Sequence, residues 1–456
     1  MSFSIVLLAT TLAATGGCRP AFDQVVSATE TNYAGHLVKL ADDEARATYR
    51  RFRELMRTRA AAAADHAACR SVLDGYLGYF ADHHLFVASR DNPRSPLPRP
   101  ARPWTAKRVA AYFDDNDALD PIEGRWFDAS RRIAVVRDAG PARGRFLALR
   151  IGDGRPAEPI AMIERDADGY RIDWQHEKWG WQRSEAHLRR AGDLLTFATR
   201  GWGRVGAKRL DGKDPLAPFA AELSDGVAYL SMPSFMPQYG APLQAIIAEH
   251  GAGWSTARAL VVDVRGNAGG DAIYFPLAPY FLANEIVVSR PSSVRASPWT
   301  VAYFESFRAR LGENGAWLDE PIARMKASPG AIVPYLDSRT DGMPSYPEDP
   351  AQVVVLQDHG VGSAAEAFIF HARQSRKVTT IGEPTRGNID YMQVSMHPVG
   401  NDGFDFWFGY PLYFSRDLPA GSVDDEGYAP DVRLGADAGD PVDFAEAWVA
   451  ASAGAR

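Results

Sequence analysis

The chain has 456 residues, of which 46% are hydrophobic, 11% aromatic and 23% charged, and its formal net charge is -7. This length exceeds one ordinary hydrophobic core, so two or three domains are expected. The composition is that of a globular protein and excludes a disordered chain. Because no dense stripe of Lys and Arg occurs, nucleic acid is excluded as an expected partner.

The N-terminus has the pattern of an export signal. The stretch "MSFSIVLLATTLAATGGCRP" contains an apolar run that is too short to span a bilayer and has the length of a signal h-region. Small residues precede Cys18, as in a bacterial lipobox. We therefore expect residues 1–18 to be a lipoprotein signal peptide, with Cys18 lipidated and anchored at the periplasmic face of the cell envelope. The alternative is a plain secretory signal and a secreted protein. Cys69 is then a lone, buried cysteine.

Three regions of different character follow. Residues 19–90 are expected to form a helical domain, because "DDEARATYRRFRELMRTRAAAA" has helix formers and apolar residues at three-to-four spacing. The stretch "RDNPRSPLPRPARPW" reads as a proline-rich linker. Residues 91–218 contain short strands such as "RRIAVVRD" and "RFLALRIG" with turn signals between them, which predicts a small antiparallel β-barrel-like domain.

Residues 219–456 read as an α/β core. The strands "GVAYLSM", "ARALVVDV" and "AQVVVLQD" are continuously apolar and alternate with helical patterns, which predicts a covered, largely parallel sheet. Within this core, residues 292–348 are rich in Pro, Gly and aromatic residues. We expect this segment to form a helical, lid-like insertion.

Ser363 stands between a glycine loop and a helix, in the stretch "HGVGSAAEAF". One interpretation is a helix N-cap, a position where serine is common. The other is a nucleophile, because the free N–H groups and dipole of a helix N-terminus stabilise an adjacent oxyanion. The stretch is not the G-x-S-x-G elbow of α/β-hydrolases.

A second glycine loop follows a buried strand in "VVDVRGNAGGD". Glycines allow a close approach of the backbone and turn N–H groups towards a neighbour. The loop is either a tight turn with an Asp263–Arg265 ion pair or the source of a second oxyanion donor. Phosphate binding is not expected, because neither G-x-G-x-x-G nor G-K-[ST] is present.

Three motifs in order resemble the tail-specific, or C-terminal processing, serine peptidases: "DVRGNAGG", "SAAE" and "GEPTRGN". The resemblance covers the last half of the chain and implies a crotonase-like or ClpP-like spiral of strands and helices. It implies that Ser363 is the nucleophile. It also implies an oxyanion hole formed by the backbone N–H groups of Ala364 and Gly269, with Gly270 as the alternative to Gly269.

The general base is expected to differ from that of many family members. They have a lysine where this chain has Asn388, which cannot accept a proton at neutral pH, and Lys377 lies off the motif position. The chain is similar instead to the tricorn core protease branch, which uses a histidine and an acid. That likeness implies His84, in "YFADHHLFV", as the base and Asp424, in "VDDEGYAPDV", as the acid that orients it.

Other residues compete for these roles. His359 and His371 are rival bases, Glu366 is expected to hold its helix in place, and His83 replaces the serine that precedes the branch's histidine. No H-E-x-x-H or C-x-x-C pairing occurs, so we expect no metal and no cofactor.

The sequence thus predicts an exported serine peptidase that hydrolyses peptide or protein substrates. Two alternatives stay open. One is a non-catalytic peptide- or lipid-binding protein on the same fold, since the interphotoreceptor retinoid-binding proteins resemble this core. The other is a serine esterase or amidase. The middle region lacks the carboxylate loop of a PDZ module, which favours a narrower peptide substrate. The oligomeric state stays open.

Overall fold

The computed structural model describes most of the chain after Gly17. The described residues are 17–90, 97, 103–138, 144–152, 156–166, 169–177, 180–224, 226–343, 345–401, 403–424, 426–435 and 438–453. The predicted signal sequence before residue 17 and most of the predicted proline-rich linker lie outside them.

Four helices open the described chain: α1 (Cys18–Asn32), α2 (Ala34–Lys39), α3 (Asp43–Ala62) and α4 (His66–Leu77). Asp42 and Asp65 begin α3 and α4, because each carboxylate accepts a hydrogen bond from a backbone N–H in the first turn. Among the described residues, no helix is both long enough and apolar enough to cross a membrane. A short strand, β1 (Phe86–Ser89), follows.

A disulfide joins Cys18 on α1 to Cys69 on α4. The prediction that Cys18 is lipidated is therefore wrong for this structure, because a sulfur in a disulfide cannot also carry a thioether-linked lipid. The expectation that Cys69 is a lone cysteine is wrong for the same reason. The lipobox-like pattern before Cys18 is local, so it gives no information about Cys69, the partner that the fold brings to Cys18.

The middle region is a helix and a closed antiparallel barrel of eight strands. Its elements are α5 (Ala106–Asp114), β2 (Gly124–Phe127), β3 (Arg132–Arg137), β4 (Arg145–Ile151), β5 (Glu158–Asp166), β6 (Gly169–His176), β7 (Gly180–Arg189), β8 (Leu194–Phe197) and β9 (Arg200–Arg204). Buried aromatic and branched side chains, including Trp126 and Phe146, form one cluster inside it, so the barrel is a packed core. The predicted barrel-like antiparallel sheet is confirmed.

The C-terminal half contains the remaining elements. They are β10 (Phe219–Ser224), β11 (Val227–Ser231), α6 (Gly240–Trp254), β12 (Ala259–Asp263), α7 (Ala278–Phe281), β13 (Ile286–Ser289), β14 (Ser292–Arg295), α8 (Pro298–Leu311), α9 (Asp319–Ala327), β15 (Ile332–Leu336), β16 (Arg339–Asp341), β17 (Gln352–Gln357), α10 (Ala364–Ala372), β18 (Val378–Gly382), β19 (Tyr391–Asn401), β20 (Phe404–Ser415), β21 (Val432–Arg433) and α11 (Pro441–Ala453).

Six of these strands form the central sheet, in the order β10-β11-β12-β17-β18-β21. All neighbours in it are parallel except β10 and β11. The apolar residues of β12 and β17 are buried, and clusters on both faces of the sheet contain helical residues. The strands are continuously apolar because both faces of the sheet are buried, as the sequence predicted for a covered parallel sheet.

A second sheet joins the N-terminal segment to the C-terminal half. Its order is β1-β20-β14-β15, with β19 also paired to β20. The N-terminal helices share a hydrophobic core with this sheet. Pairing of β1 with β20 therefore fixes the residues that precede Phe86 against the C-terminal half of the chain.

The segment 292–348 is not a lid over the cleft described below. Its strands β14 and β15 belong to the second sheet, and buried residues of α8 and α9 pack in the same hydrophobic core. None of its described residues lines that cleft. Several of the aromatic residues that suggested a lid are used for packing: Phe304 is fully buried, although Trp317 is exposed.

Candidate active site

Two loops meet at the carboxyl edge of the central sheet. The strands β12 and β17 are parallel neighbours, so the chain leaves both at the same edge. Asn267 joins the loops, since its backbone carbonyl accepts from the N–H of Gly362 at 3.0 Å. A Cβ added to Gly269 would lie 2.9 Å from the nitrogen of Ala364 and from Cβ of Ser363. Glycine is thus required for this approach.

Ser363 occupies a backbone conformation that is rare for residues other than glycine. Its φ is 54° and its ψ is -122°, directly before α10. Such conformations cost about 1–3 kcal/mol and persist only where surrounding contacts impose them. Here the N–H of Ser363 donates to Oε2 of Glu366 at 3.0 Å. The strain is local to the residue that the sequence marks as a nucleophile.

Glu366 connects the Ser363 turn to the loop after β18. Its side chain is fully buried. Besides the N–H of Ser363, its carboxylate accepts hydrogen bonds from Oγ1 of Thr385 at 2.6 Å and from the N–H groups of Gly387 and Asn388, both at 2.8 Å. Burial raises its pKa, and these hydrogen bonds act in the opposite direction. The expected role of Glu366, to hold its helix in place, agrees with these contacts.

His84 reaches Ser363 from the N-terminal segment. Its Nε2 lies 3.1 Å from Oγ of Ser363, and its Nδ1 lies 2.5 Å from the carbonyl oxygen of Tyr391. A carbonyl oxygen only accepts, so Nδ1 carries the hydrogen of neutral His84. Nε2 is then an acceptor for the hydroxyl of Ser363. This is the tautomer that a general base requires.

Burial sets the ionisation of the imidazole. Desolvation lowers the pKa of His84 to about 4, and the nearby charges of His83 and Arg386 act in the same direction. The hydrogen bond to Tyr391 acts in the opposite direction. His84 is therefore neutral at pH 7, as a base must be before it takes a proton.

Asp82 holds the backbone of His84 and not its ring. Its Oδ1 accepts from the N–H of His84 at 2.9 Å, and its Oδ2 accepts from the hydroxyl of Tyr33 at 2.7 Å. Burial raises the pKa of Asp82 to about 6. Asp82 lies in the stretch "YFADHHLFV", two residues before His84, which is the spacing of a side-chain-to-backbone turn.

Asp424 does not contact His84, which corrects its predicted role. Its Oδ1 accepts from the N–H groups of Ile389 and Asp390, at 2.8 and 2.9 Å. Among the described residues, the position next to Nδ1 of His84 belongs to the carbonyl of Tyr391, one residue further along. Asp424 therefore holds the segment that presents this carbonyl. Burial raises the pKa of Asp424 to about 7; the hydrogen bond from the N–H of Asp390 opposes this shift, and the charge of Asp390 adds to it.

The two glycines proposed for the oxyanion hole differ. The N–H of Gly269 donates to Oδ1 of Asn267 at 2.9 Å, so it is already engaged. Within the described part of the chain, the N–H groups of Gly270 and Ala364 have no acceptor. The structure thus favours Gly270 over Gly269. A Cβ on Gly270 would lie 2.4 Å from the carbonyl oxygen of Phe235, so this position also requires glycine.

The rival bases lie elsewhere. His359 is exposed. His371 is buried between the hydroxyl of Tyr274 and the carbonyl of Val288, at 3.0 and 3.1 Å. Lys377 precedes β18 and so lies at the opposite edge of the sheet from Ser363.

Two further polar residues flank the site. Asn388 is buried close to the Ser363 turn, since a Cβ added to Gly362 would lie 3.7 Å from its Nδ2. His83 is exposed and lines the cleft beside the site.

A strained serine with a neutral imidazole at hydrogen-bond distance is the arrangement of a serine-type hydrolase, and the chain is a serine-type peptidase. Residues 226–432 match the model of peptidase family S41. Over this segment the chain is similar to the S41 peptidases.

Solved structures match nearly the whole chain, and the match to mature CPAF shows a shared fold. Mature CPAF is 11% identical, with a TM-score of 0.52 over 95% of this chain and 96% of its own. The photosystem II D1 C-terminal processing protease is 14% identical, with a TM-score of 0.38 over 91% and 93%. The tricorn protease is 13% identical, with a TM-score of 0.44 over 95% of this chain and 36% of its own. No curated protein matches the chain.

Proposed function

We propose that the chain is an exported peptidase that hydrolyses peptide bonds by acyl transfer, with Ser363 as nucleophile and His84 as general base. The observation that supports this most directly is the distance of 3.1 Å between Nε2 of His84 and Oγ of Ser363. The alternative of a non-catalytic binding protein predicts that His84 lies far from Ser363 or that the pocket is closed.

In the first half of the reaction, Oγ of Ser363 forms a bond to the carbonyl carbon of the scissile peptide while Nε2 of His84 takes the hydroxyl proton. The oxyanion of the tetrahedral intermediate is held by the N–H groups of Ala364 and Gly270. The bond to the amine then breaks as His84 returns the proton to the leaving nitrogen, and an acyl-enzyme remains.

In the second half, His84 takes a proton from water, whose oxygen attacks the acyl carbon. The proton then returns to Oγ of Ser363 as the ester bond breaks, which releases the new carboxyl terminus. Throughout, the carbonyl of Tyr391 keeps Nδ1 protonated and the ring oriented, and Asp424 and Asp82 position the backbone on either side. No step of this mechanism requires the lysine that many family members have at the position of Asn388.

Labelling of the purified, oxidised protein with a fluorophosphonate, followed by mapping of the adduct, tests this function. We expect an adduct on Ser363 that is absent in Ser363→Ala and strongly slowed in His84→Ala. Hydrolysis of a peptide library at the wild-type rate by Ser363→Ala would falsify the proposal. A panel of matched peptide, anilide and ester substrates separates a peptidase from an esterase or amidase, since an esterase cleaves only the ester.

Export is supported by the disulfide between Cys18 and Cys69, because disulfides persist in oxidising compartments such as the periplasm. Trapping of free thiols in fractionated cells tests it. Export predicts blocked cysteines in the envelope or medium, whereas two free thiols in a cytoplasmic fraction contradict it.

We also interpret the central sheet and its helices as the crotonase-like core implied by the sequence resemblance. Successive parallel strands return through a helix, as in β11–α6–β12 and β17–α10–β18, which supports this interpretation. The domain boundaries predicted at 19–90, 91–218 and 219–456 stay predictions.

A further inference from the structure

A positively charged cleft of about 800 Å³ lies beside the Ser363 turn, between the barrel and the central sheet. Its lining includes six arginines, but only two carboxylates, Asp74 and Glu185. The arginines are Arg70, Arg171, Arg183, Arg189, Arg200 and Arg386. The formal charge of the whole chain is -7, so the charge of this cleft is opposite in sign to that of the protein.

Four of these arginines have an acidic partner. The pairs are Arg70 with Asp74, Arg171 with Asp166, Arg183 with Asp173, and Arg200 with Glu177. Their charges are therefore largely neutralised by these partners.

The other two, Arg189 and Arg386, have no ion pair with any described residue. Nε of Arg189 is buried without a hydrogen-bond partner. Burial lowers the pKa of Arg386, and the neighbouring charge of Arg189 lowers it further. Glu185, Glu366 and Asp358 act in the opposite direction from beyond salt-bridge distance. Two guanidinium groups thus lie near each other, partly desolvated and without a counter-charge in contact.

Both arginines flank the nucleophile. A Cβ added to Gly362 would lie 3.5 Å from Cδ of Arg386, and one added to Gly360 would lie 2.9 Å from Nε of Arg189. Gly362 immediately precedes Ser363 in the chain, and Gly360 lies three residues before it.

The barrel holds Arg189 in this place through the next residue. Arg190 is buried in the central core, where its guanidinium donates to Oγ of Ser231 at 2.9 Å and to the carbonyl of Asp263 at 3.1 Å. Since Arg190 is fixed in the core, Arg189 is fixed at the wall of the cleft.

We propose that Arg189 and Arg386 form a carboxylate-binding subsite, so that the preferred peptide presents a carboxylate close to its scissile bond. Guanidinium groups bind carboxylates through paired N–H donors, and a desolvated pair binds more strongly than an exposed one. An acidic side chain and a free C-terminal carboxylate have this chemistry in common. The inference rests on the proposed function, because it assigns a substrate class to the same site.

Peptide binding to the Ser363→Ala variant tests the subsite without turnover. Four fluorescent peptides of one sequence differ only in Glu against Gln at a central position and in a free against an amidated C-terminus. Fluorescence anisotropy gives a Kd for each. We expect at least one carboxylate peptide to bind roughly tenfold to a hundredfold more tightly than the fully amidated Gln peptide. The peptide that does so identifies the source of the carboxylate.

Variants in the Ser363→Ala background assign the effect to the two arginines. We expect Arg386→Gln and Arg189→Gln each to bring the ratio of Kd values close to one, and Arg386→Lys to keep part of the preference. Arg200→Gln is the matched control, since Arg200 lines the same cleft but has an acidic partner, and it should keep the preference. Circular dichroism verifies that each variant is folded.

Equal Kd values for the four peptides, no binding of any peptide, or a preference that survives both substitutions to Gln would overturn the subsite. Fluorophosphonate labelling separates this failure from failure of the proposed function, because the probe carries no carboxylate. Labelled Ser363 without a carboxylate preference contradicts only the subsite. A carboxylate preference without labelling contradicts only the catalytic role.

Discussion

The carbonyl oxygen of Tyr391 lies 2.5 Å from Nδ1 of His84, in the place where a Ser-His-Asp triad has its carboxylate. A carbonyl dipole fixes the tautomer and the orientation of the ring as a carboxylate does. It offers less stabilisation to the imidazolium that forms during the reaction, because it carries no net charge. The backbone carbonyl of Tyr391 therefore positions the base. The nearby Asp82 and Asp424 bind backbone N–H groups and do not contact the imidazole.

Asp424→Asn should be far less damaging than His84→Ala. The amide oxygen of Asn can accept from Ile389 and Asp390 as the carboxylate does, so we expect kcat to fall by less than about tenfold. Loss of the base should lower kcat by about 10²–10⁴-fold. Steady-state kinetics on one peptide substrate compares the two. An Asp424→Asn variant as slow as His84→Ala would show that this carboxylate reaches the imidazole during catalysis.

The pH dependence of kcat/KM should report the buried imidazole. A general base must be unprotonated, and burial lowers the pKa of His84 to about 4. Activity should thus rise with pH to a midpoint near 4 and stay level through pH 6 to 7. Activity regained on return to pH 7 controls for acid unfolding. A midpoint near 6.5, the ordinary value for histidine, contradicts the burial of the ring in the working enzyme.

Asp424→Asn should also change how stability varies with pH. The pKa of Asp424 is raised to about 7, so between about pH 4 and 7 the folded state keeps a proton that the unfolded state releases. This group therefore lowers stability as pH rises through that window. We expect the Tm of the variant, relative to wild type, to increase from pH 4 to pH 7 and then to level off. A difference independent of pH contradicts the raised pKa.

Glu366→Gln should destabilise the fold and misplace the nucleophile. The carboxylate accepts four hydrogen bonds, from Ser363, Thr385, Gly387 and Asn388. An amide has one acceptor oxygen, and its NH₂ group would face backbone N–H donors.

We expect a loss of about 2–5 kcal/mol in the free energy of unfolding, measured in urea, together with slower labelling of Ser363. Glu383→Gln, an exposed glutamate at the start of the same loop, is the control and should behave as wild type. An unchanged unfolding midpoint for Glu366→Gln would mean that the carboxylate network contributes nothing.

Loss of the disulfide should weaken the N-terminal segment. The bond between Cys18 and Cys69 closes a loop with a sequence separation of 51 residues, so Cys18→Ser should cost about 2–4 kcal/mol of stability. Cys69→Ser and the double variant should cost the same, because all three lose one bond. Thermal unfolding with and without reductant measures the effect. A Tm that reductant leaves unchanged would contradict the bond.

Several features were open to prediction because they have a pattern in the chain. Alternating strands predicted the barrel, apolar runs predicted the parallel sheet, and three spaced motifs identified the loop of Ser363. The stretch "YFADHHLFV" pointed to His84, which the structure places at hydrogen-bond distance from that serine.

Other features had no such pattern. Any residue supplies a carbonyl, so nothing marked Tyr391 as the orienting group. The choice between Gly269 and Gly270 depends on which N–H the loop leaves without an acceptor. The acidic turn at Asp424 looked like a partner for histidine, but its ligands are backbone N–H groups. The pairing of Cys18 with Cys69 depends on the packing of α1 against α4, which neither cysteine's local sequence indicates.

The separation of His84 and Ser363 along the chain has a consequence for biosynthesis. They are 279 residues apart, and the carbonyl that orients the imidazole lies 307 residues from it. The ribosome therefore synthesises the base long before the nucleophile. The two residues come together only after strand β20 has paired with β1. A chain truncated before Tyr391 lacks the carbonyl that orients the imidazole and so has no complete site.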